Sequence, residues 1–77
     1  PTPLTYCVRV IEHSKAAALH GPYASEREAD AAAAEIYSRL EAEGWDFGGW
    51  HYLGDGRSAQ VFTRRDARLV VRVEVAS

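Results

Sequence analysis

Residues 25–44 read SEREADAAAAEIYSRLEAEG, and this stretch decides the fold. Ser25 is a good helix N-cap, and Glu28 three residues later completes a capping box. Glu26, Glu28 and Asp30 put anions in or near the first turn, where the helix dipole favours them. Ala29, Ala32, Ala33, Ile36, Tyr37 and Leu40 recur at the i, i+3, i+4, i+7 spacing of a single buried stripe. Gly44 supplies the left-handed position that commonly ends a helix. The pattern predicts a helix close to Ser25–Gly44, a rod of roughly 27 Å at ~1.5 Å per residue. Its small alanines let the N-terminal half sit close on whatever it covers.

The flanking segments supply what it covers. Leu4–Glu12 alternates, with Tyr6, Val8 and Val10 on one side and Cys7, Arg9 and Ile11 on the other, the period-two pattern of a strand. His13-Ser14-Lys15 is a polar break. Ala16–His20 is a weaker strand candidate, ended by Gly21-Pro22 because proline cannot donate to a ladder. Beyond the helix, Trp50–Leu53 starts a strand, with Gly48-Gly49 as a bulge or bend before it. Gly54-Asp55-Gly56 is a turn signal, Arg57–Arg64 a strand, and Arg65-Asp66-Ala67 a turn. Arg68–Ala76 is the clearest strand, with Leu69, Val71, Val73 and Val75 opposite Arg68, Val70, Arg72 and Glu74. The order is β-(β)-α-β-β-β. This predicts one α+β domain over residues 1–77, with a single amphipathic helix packed on one face of a four- to five-stranded antiparallel sheet.

With 77 residues and 47% hydrophobic content the chain is of globular type. A domain this small buries only roughly 60–65% of its unfolded surface, and such chains usually gain support from disulfides, a metal or oligomerisation. Cys7 is the only cysteine, so no intrachain disulfide forms, and a lone thiol suits a reducing cytoplasm. There is no apolar run near the ~18 residues of a membrane span, and no secretory signal pattern. Arginine and alanine dominate and asparagine is absent, a bias typical of a high-GC bacterial or phage genome. Charge is uneven: residues 25–46 hold seven acids against Arg27 and Arg39, and residues 57–77 hold five arginines against Asp66 and Glu74. The two ends of the molecule are oppositely charged and can steer a partner or a second copy.

The stretch Leu40…Gly44-Trp45-Asp46-Phe47, with Val61-Phe62-Thr63-Arg64-Arg65 downstream, resembles a group of small uncharacterised bacterial domains. In those, a helix ending in Leu-x-x-x-Gly-Trp-Asp/Glu-apolar is followed by a hairpin that ends in a basic residue. The resemblance covers roughly residues 36–65. It implies a compact α+β fold and no particular activity. The residues alone say the same: glycine stops the helix, and Trp45 folds back over the end of the core.

Two surfaces are candidates for function. Arg9, Arg57, Arg64, Arg65, Arg68 and Arg72 can form a basic sheet face for phosphates, or a solvated face whose charges discourage edge pairing. Trp45, Phe47, Trp50 and Tyr52 can form a stacking platform, or plug the core at the helix end. Chemistry is not legible. His13, His20 and His51 with Cys7 show neither C-x-x-C nor H-x-x-x-H spacing. Cys7 in mid-strand reads as a small packed hydrophobe. Gly54-x-Gly56 is not followed by a helix, so it is no dinucleotide loop.

One helix covers one face of such a sheet. The other face then presents Ile11, Val70 and Cys7 among arginines. The expectation is a non-catalytic interaction module, without cofactor or metal, that self-associates through its sheet or binds another protein. Its candidate surface is Arg9, Ile11, Arg64, Arg68, Val70 and Arg72, with an aromatic patch at Trp45, Trp50 and Tyr52. The alternative is a small nucleic-acid-binding protein that uses the arginine face and exposed aromatics. A membrane role is not expected.

Overall fold

Six elements follow one another: β1 (Tyr6–Glu12), β2 (Ala18–Tyr23), α1 (Glu26–Ala42), β3 (Asp46–Tyr52), β4 (Ser58–Arg64) and β5 (Ala67–Val75). They are seen in a computed structural model that describes residues 4–12, 15–52 and 58–76. The five strands form one sheet in the order β2-β1-β5-β4-β3, with every neighbouring pair antiparallel. A hairpin (β1, β2) and a three-stranded meander (β3, β4, β5) are joined where β1 and β5 pair over their full common length, Tyr6 opposite Val75 through Glu12 opposite Leu69. The helix lies on one face, so the architecture is α+β as the alternation predicts.

The helix forms where the sequence places it. Ser25 is extended (φ −142°, ψ 158°), and its Oγ accepts the Glu28 backbone N–H at 3.1 Å. Glu28 in turn accepts the Ala24 N–H at 3.0 Å, one residue further back than a regular capping box reaches. Removing the cap with Ser25→Ala should cost about 1 kcal/mol in chemical denaturation. A change under a few tenths would mean that the Glu28 arm holds the helix start by itself.

At the other end Gly44 has φ 92°. The Trp45 N–H donates to the Leu40 carbonyl at 2.9 Å and the Gly44 N–H to that of Glu41 at 3.1 Å, the paired bonds of a Schellman motif. The motif turns Trp45 back onto Leu40, and both are buried in the core. Arg64 covers this end. Its guanidinium carbon sits 4.5 Å from the centre of the Trp45 ring, and Nη1 donates to the Glu43 carbonyl at 3.0 Å, a cation at the negative end of the helix dipole.

The buried stripe of α1 is Ala29, Ala33, Ile36 and Leu40, with Ala32 and Tyr37 partly buried beside it. It packs on Val8 of β1, Leu69 and Val71 of β5, and Phe62 of β4. Tyr37 stacks on Phe62 with ring centroids 5.5 Å apart. Burial, and then the Asp30 carboxylate, push the Tyr37 hydroxyl up from 10 to about 12, against a hydrogen bond to Gln60 that lowers it. The raised value means that the neutral phenol stabilises the fold fully below pH 10 and that this contribution is lost as pH rises towards 12.

Most strand ends fall within two residues of the sequence expectation, β5 for example beginning at Ala67 and not Arg68, and two boundaries differ by three residues or more. β2 does not stop at Gly21-Pro22 but continues to Tyr23. Proline is tolerated because β2 is an edge strand, and one extra residue is absorbed between the Tyr6–Tyr23 and Val8–His20 pairs. β3 begins at Asp46, four residues before Trp50. The Schellman turn delivers the chain straight to the sheet edge, and the expected bulge lies inside the strand, between the Phe47–Phe62 and Gly49–Val61 pairs. The Gly54-Asp55-Gly56 turn lies outside the described residues.

Candidate interaction surface

Opposed residues in an antiparallel ladder share a face, so register maps the side of the sheet away from α1. The row Ile11–Val70–Val61 crosses β1, β5 and β4 and ends at Gly49 of β3. It is an apolar belt. On one side runs Leu19–Arg9–Arg72–Ala59, and beyond that Cys7–Glu74. On the other side runs Arg68–Thr63–Asp46. Ile11 is 38% exposed and Leu19 59%, whereas Cys7, Ala59 and Val61 are buried although they are not part of the cluster that packs on the helix.

Arg9 and Arg72 are directly opposed, and like charges in that position repel. Glu74, two residues along β5 on the same face, resolves the conflict. Its Oε1 lies 2.7 Å from Arg9 Nε and its Oε2 2.8 Å from Arg72 Nε. The first is a hydrogen bond; the second is an ion pair off the hydrogen-bond axis, which leaves Arg72 Nε without an aligned acceptor. The Cys7 thiol sits 3.9 Å from the same Oε1. Glu74→Ala removes the bridge and leaves two facing cations, so its cost should be about 1–2 kcal/mol, above the ~0–1 typical of exposed pairs. Arg9→Ala added to it should recover part of the loss. Strict additivity of the two changes in denaturation would show that the three charges are not coupled.

Of the residues expected on this surface, Arg9, Ile11, Arg68, Val70 and Arg72 do share the face. Arg64 does not. It pairs with Ala67, which packs against the helix-side core, and its guanidinium is committed to Trp45 and Glu43. The β4–β5 register that decides this was not readable from alternation in β5 alone. Val61 belongs to the surface through the same β4–β5 register and Leu19 through the β1–β2 register; Glu74, on the Arg72 side of β5, belongs to it as well.

The aromatic patch divides. Trp45 is 3% exposed and is part of the core, and Trp50 is 60% exposed. Tyr52 closes β3, but its side chain lies outside the described residues. The companion of Trp50 is Phe47, 50% exposed, in edge-to-face contact at 6.0 Å. Phe47 in turn contacts Phe62 at 5.7 Å. The bulge puts Phe47 and Trp50 on the helix side, through their pairing with Phe62 and Gln60, but they lie at the sheet edge where α1 does not bury them.

Among the described residues no three His, Cys, Asp or Glu side chains stand together as a metal site, and no helix is long and apolar enough to cross a membrane. No family, curated protein or solved structure is detectably similar to the chain.

Proposed function

We propose that the protein is a small non-catalytic interaction module that self-associates through the open face of its sheet. The observation that carries this reading is the Ile11–Val70–Val61 belt, which crosses three strands on the face opposite the helix. Ile11 and the partly buried Val70 expose apolar surface along it, beside the buried Val61, and apolar surface rimmed by polar groups marks contact sites. Its charged borders supply orientation: the Arg9–Glu74–Arg72 cluster on one side and Arg68 on the other favour one register over others and speed encounter more than they add affinity.

The nucleic-acid reading loses ground on the same geometry. Phosphate binding needs cations free to displace condensed counterions. Arg9 and Arg72 share one carboxylate, and Arg64 is on the other side of the sheet, capping the helix.

Solution mass by light scattering over a concentration series, at low and high salt, tests the proposal. Association through the belt gives a multiple of the monomer mass that persists at high salt, because apolar burial is not screened. A monomer at all concentrations that instead binds oligonucleotide with a steep salt dependence would replace this reading with the alternative.

A further inference from the structure

We propose that the β3 edge is a second contact, at which another copy of the chain adds antiparallel about a two-fold axis, pairing Phe47 of each copy with Trp50 of the other. This contact is separate from the open face.

The two edges of the sheet are built differently. At the β2 edge, Gly21 has φ 125°, Pro22 has no N–H to offer, and the ladder is interrupted by an extra residue. Such devices discourage a further strand. The β3 edge carries neither proline nor lysine along Asp46–Tyr52, and its acid, Asp46, stands at the very start. β3 pairs with β4 on one side, and among the described residues no strand pairs with its other side, where backbone donors and acceptors can take up a further strand.

The bulge decides which strand fits. In a regular strand, residues three apart point to opposite faces. The extra residue at Gly48 brings Phe47 and Trp50 to the same face, in contact with each other and half or more exposed. Bulges commonly turn an edge away from pairing, but here a copy of the same edge accommodates it. When β3 meets itself with Phe47 opposite Trp50, Gly48 falls opposite Gly49, and the two bulges face each other. Each row then keeps to one face: aromatic against aromatic on the helix side, glycine against glycine on the other. A Cβ at Gly49 would meet nothing within 4 Å, whereas one at Gly48 would lie 3.3 Å from the Val61 carbonyl oxygen of the neighbouring strand. A one-residue slip in either direction puts Phe47 opposite a residue of the other face.

Self-complementarity of this kind is what a two-fold contact requires, and it selects a second copy over an unrelated extended peptide. The size of the contact sets its strength. Phe47 and Trp50 are already about half buried, so each of the four rings has only about half of its ~150–250 Å² left to cover, and with the strand backbones the contact stays below the ~1,200–2,000 Å² buried in stable interfaces. The contact is therefore a weak one that dissociates on dilution.

The test uses the full chain and the variants Trp50→Lys, Val70→Asp and the double variant, in sedimentation over a concentration series, with far-UV circular dichroism as a check on folding. The expected result is that Val70→Asp retains a concentration-dependent dimer and that Trp50→Lys added to it leaves a monomer. Iodide quenching of tryptophan emission, which is dominated by exposed Trp50, should fall several-fold as the Val70→Asp protein is concentrated; this reading needs no edge variant to fold. Quenching that stays constant while the mass doubles would overturn the proposal, as would a Val70→Asp protein that is monomeric throughout. The open-face reading fails separately, when Val70→Asp leaves the mass of the parent chain unchanged and Trp50→Lys alone abolishes association.

Discussion

Phe62→Ala should cost about 3–5 kcal/mol and leave a large unfolded fraction at room temperature. A chain of 77 residues has a total stability of roughly 4–12 kcal/mol at 0.05–0.15 kcal/mol per residue, so one such cavity removes a large share of it. Phe62 is 2% exposed and among the largest fully buried side chains. It lies in a ladder of rings, with Tyr37 of the helix at 5.5 Å on one side and Phe47 of β3 at 5.7 Å on the other. Its removal loosens the helix and the edge strand together, and neither neighbour can collapse into the space without leaving its own contacts. Phe62→Leu, which keeps most of the volume, should lose far less, of the order of 1 kcal/mol. Urea denaturation of the two variants checks this. A Phe62→Ala loss below about 1 kcal/mol would place the energetic centre of the core elsewhere, along Val8 and Val71.

The same ladder explains what sequence patterning could and could not deliver. The helix was legible because its signals are local: the Ser25 cap, the apolar stripe and the Gly44 stop each act within a turn or two. The faces of β1 and β5 were legible because each strand alternates over many residues, and a one-residue error would reverse every side chain. β3 was harder. Its residues Asp46–Tyr52 contain two glycines and do not alternate, so the strand was expected to begin only at Trp50. The bulge that breaks the alternation is also what places Phe47 beside Trp50.

The candidate surface was legible only in part, because it depends on register between strands distant in sequence. That Arg72 and Glu74 share a face follows from β5 alone. That Arg9 stands opposite Arg72, so that Glu74 must serve both, follows only from the β1–β5 pairing of residues more than sixty positions apart. Arg64 was expected with the other arginines because it is basic and lies on a strand. The β4–β5 turn, with Arg65 at φ 57°, sets a register that instead turns Arg64 to the helix end. Composition identifies a basic segment; register decides which of its charges act together.

Val70→Asp should abolish association through the open face, and with it the largest part of any self-assembly at low protein concentration. Val70 is the middle member of the Ile11–Val70–Val61 belt. In the free protein it is only partly buried, so the aspartate stays hydrated and the fold should lose about 1 kcal/mol or less, within the span of strand propensities. In the assembled state the same carboxylate would be desolvated without a partner, and an uncompensated buried charge costs several kcal/mol. At 1.4 kcal/mol per tenfold, a penalty of about 3–5 kcal/mol weakens association roughly a hundred- to several-thousand-fold. Arg68→Ala with Arg72→Ala should weaken it much less, by slowing encounter and adding salt sensitivity, since Glu74 retains Arg9 as a partner. The order of these two effects separates the readings. Were the face a nucleic-acid site, the double arginine change would abolish binding, with log affinity against log salt losing roughly one unit of slope per phosphate contact, and Val70→Asp would act only as one added negative charge. Light scattering and oligonucleotide titration of the same two proteins read both quantities, and a Val70→Asp protein that keeps both its mass and its melting temperature would remove the belt from the contact.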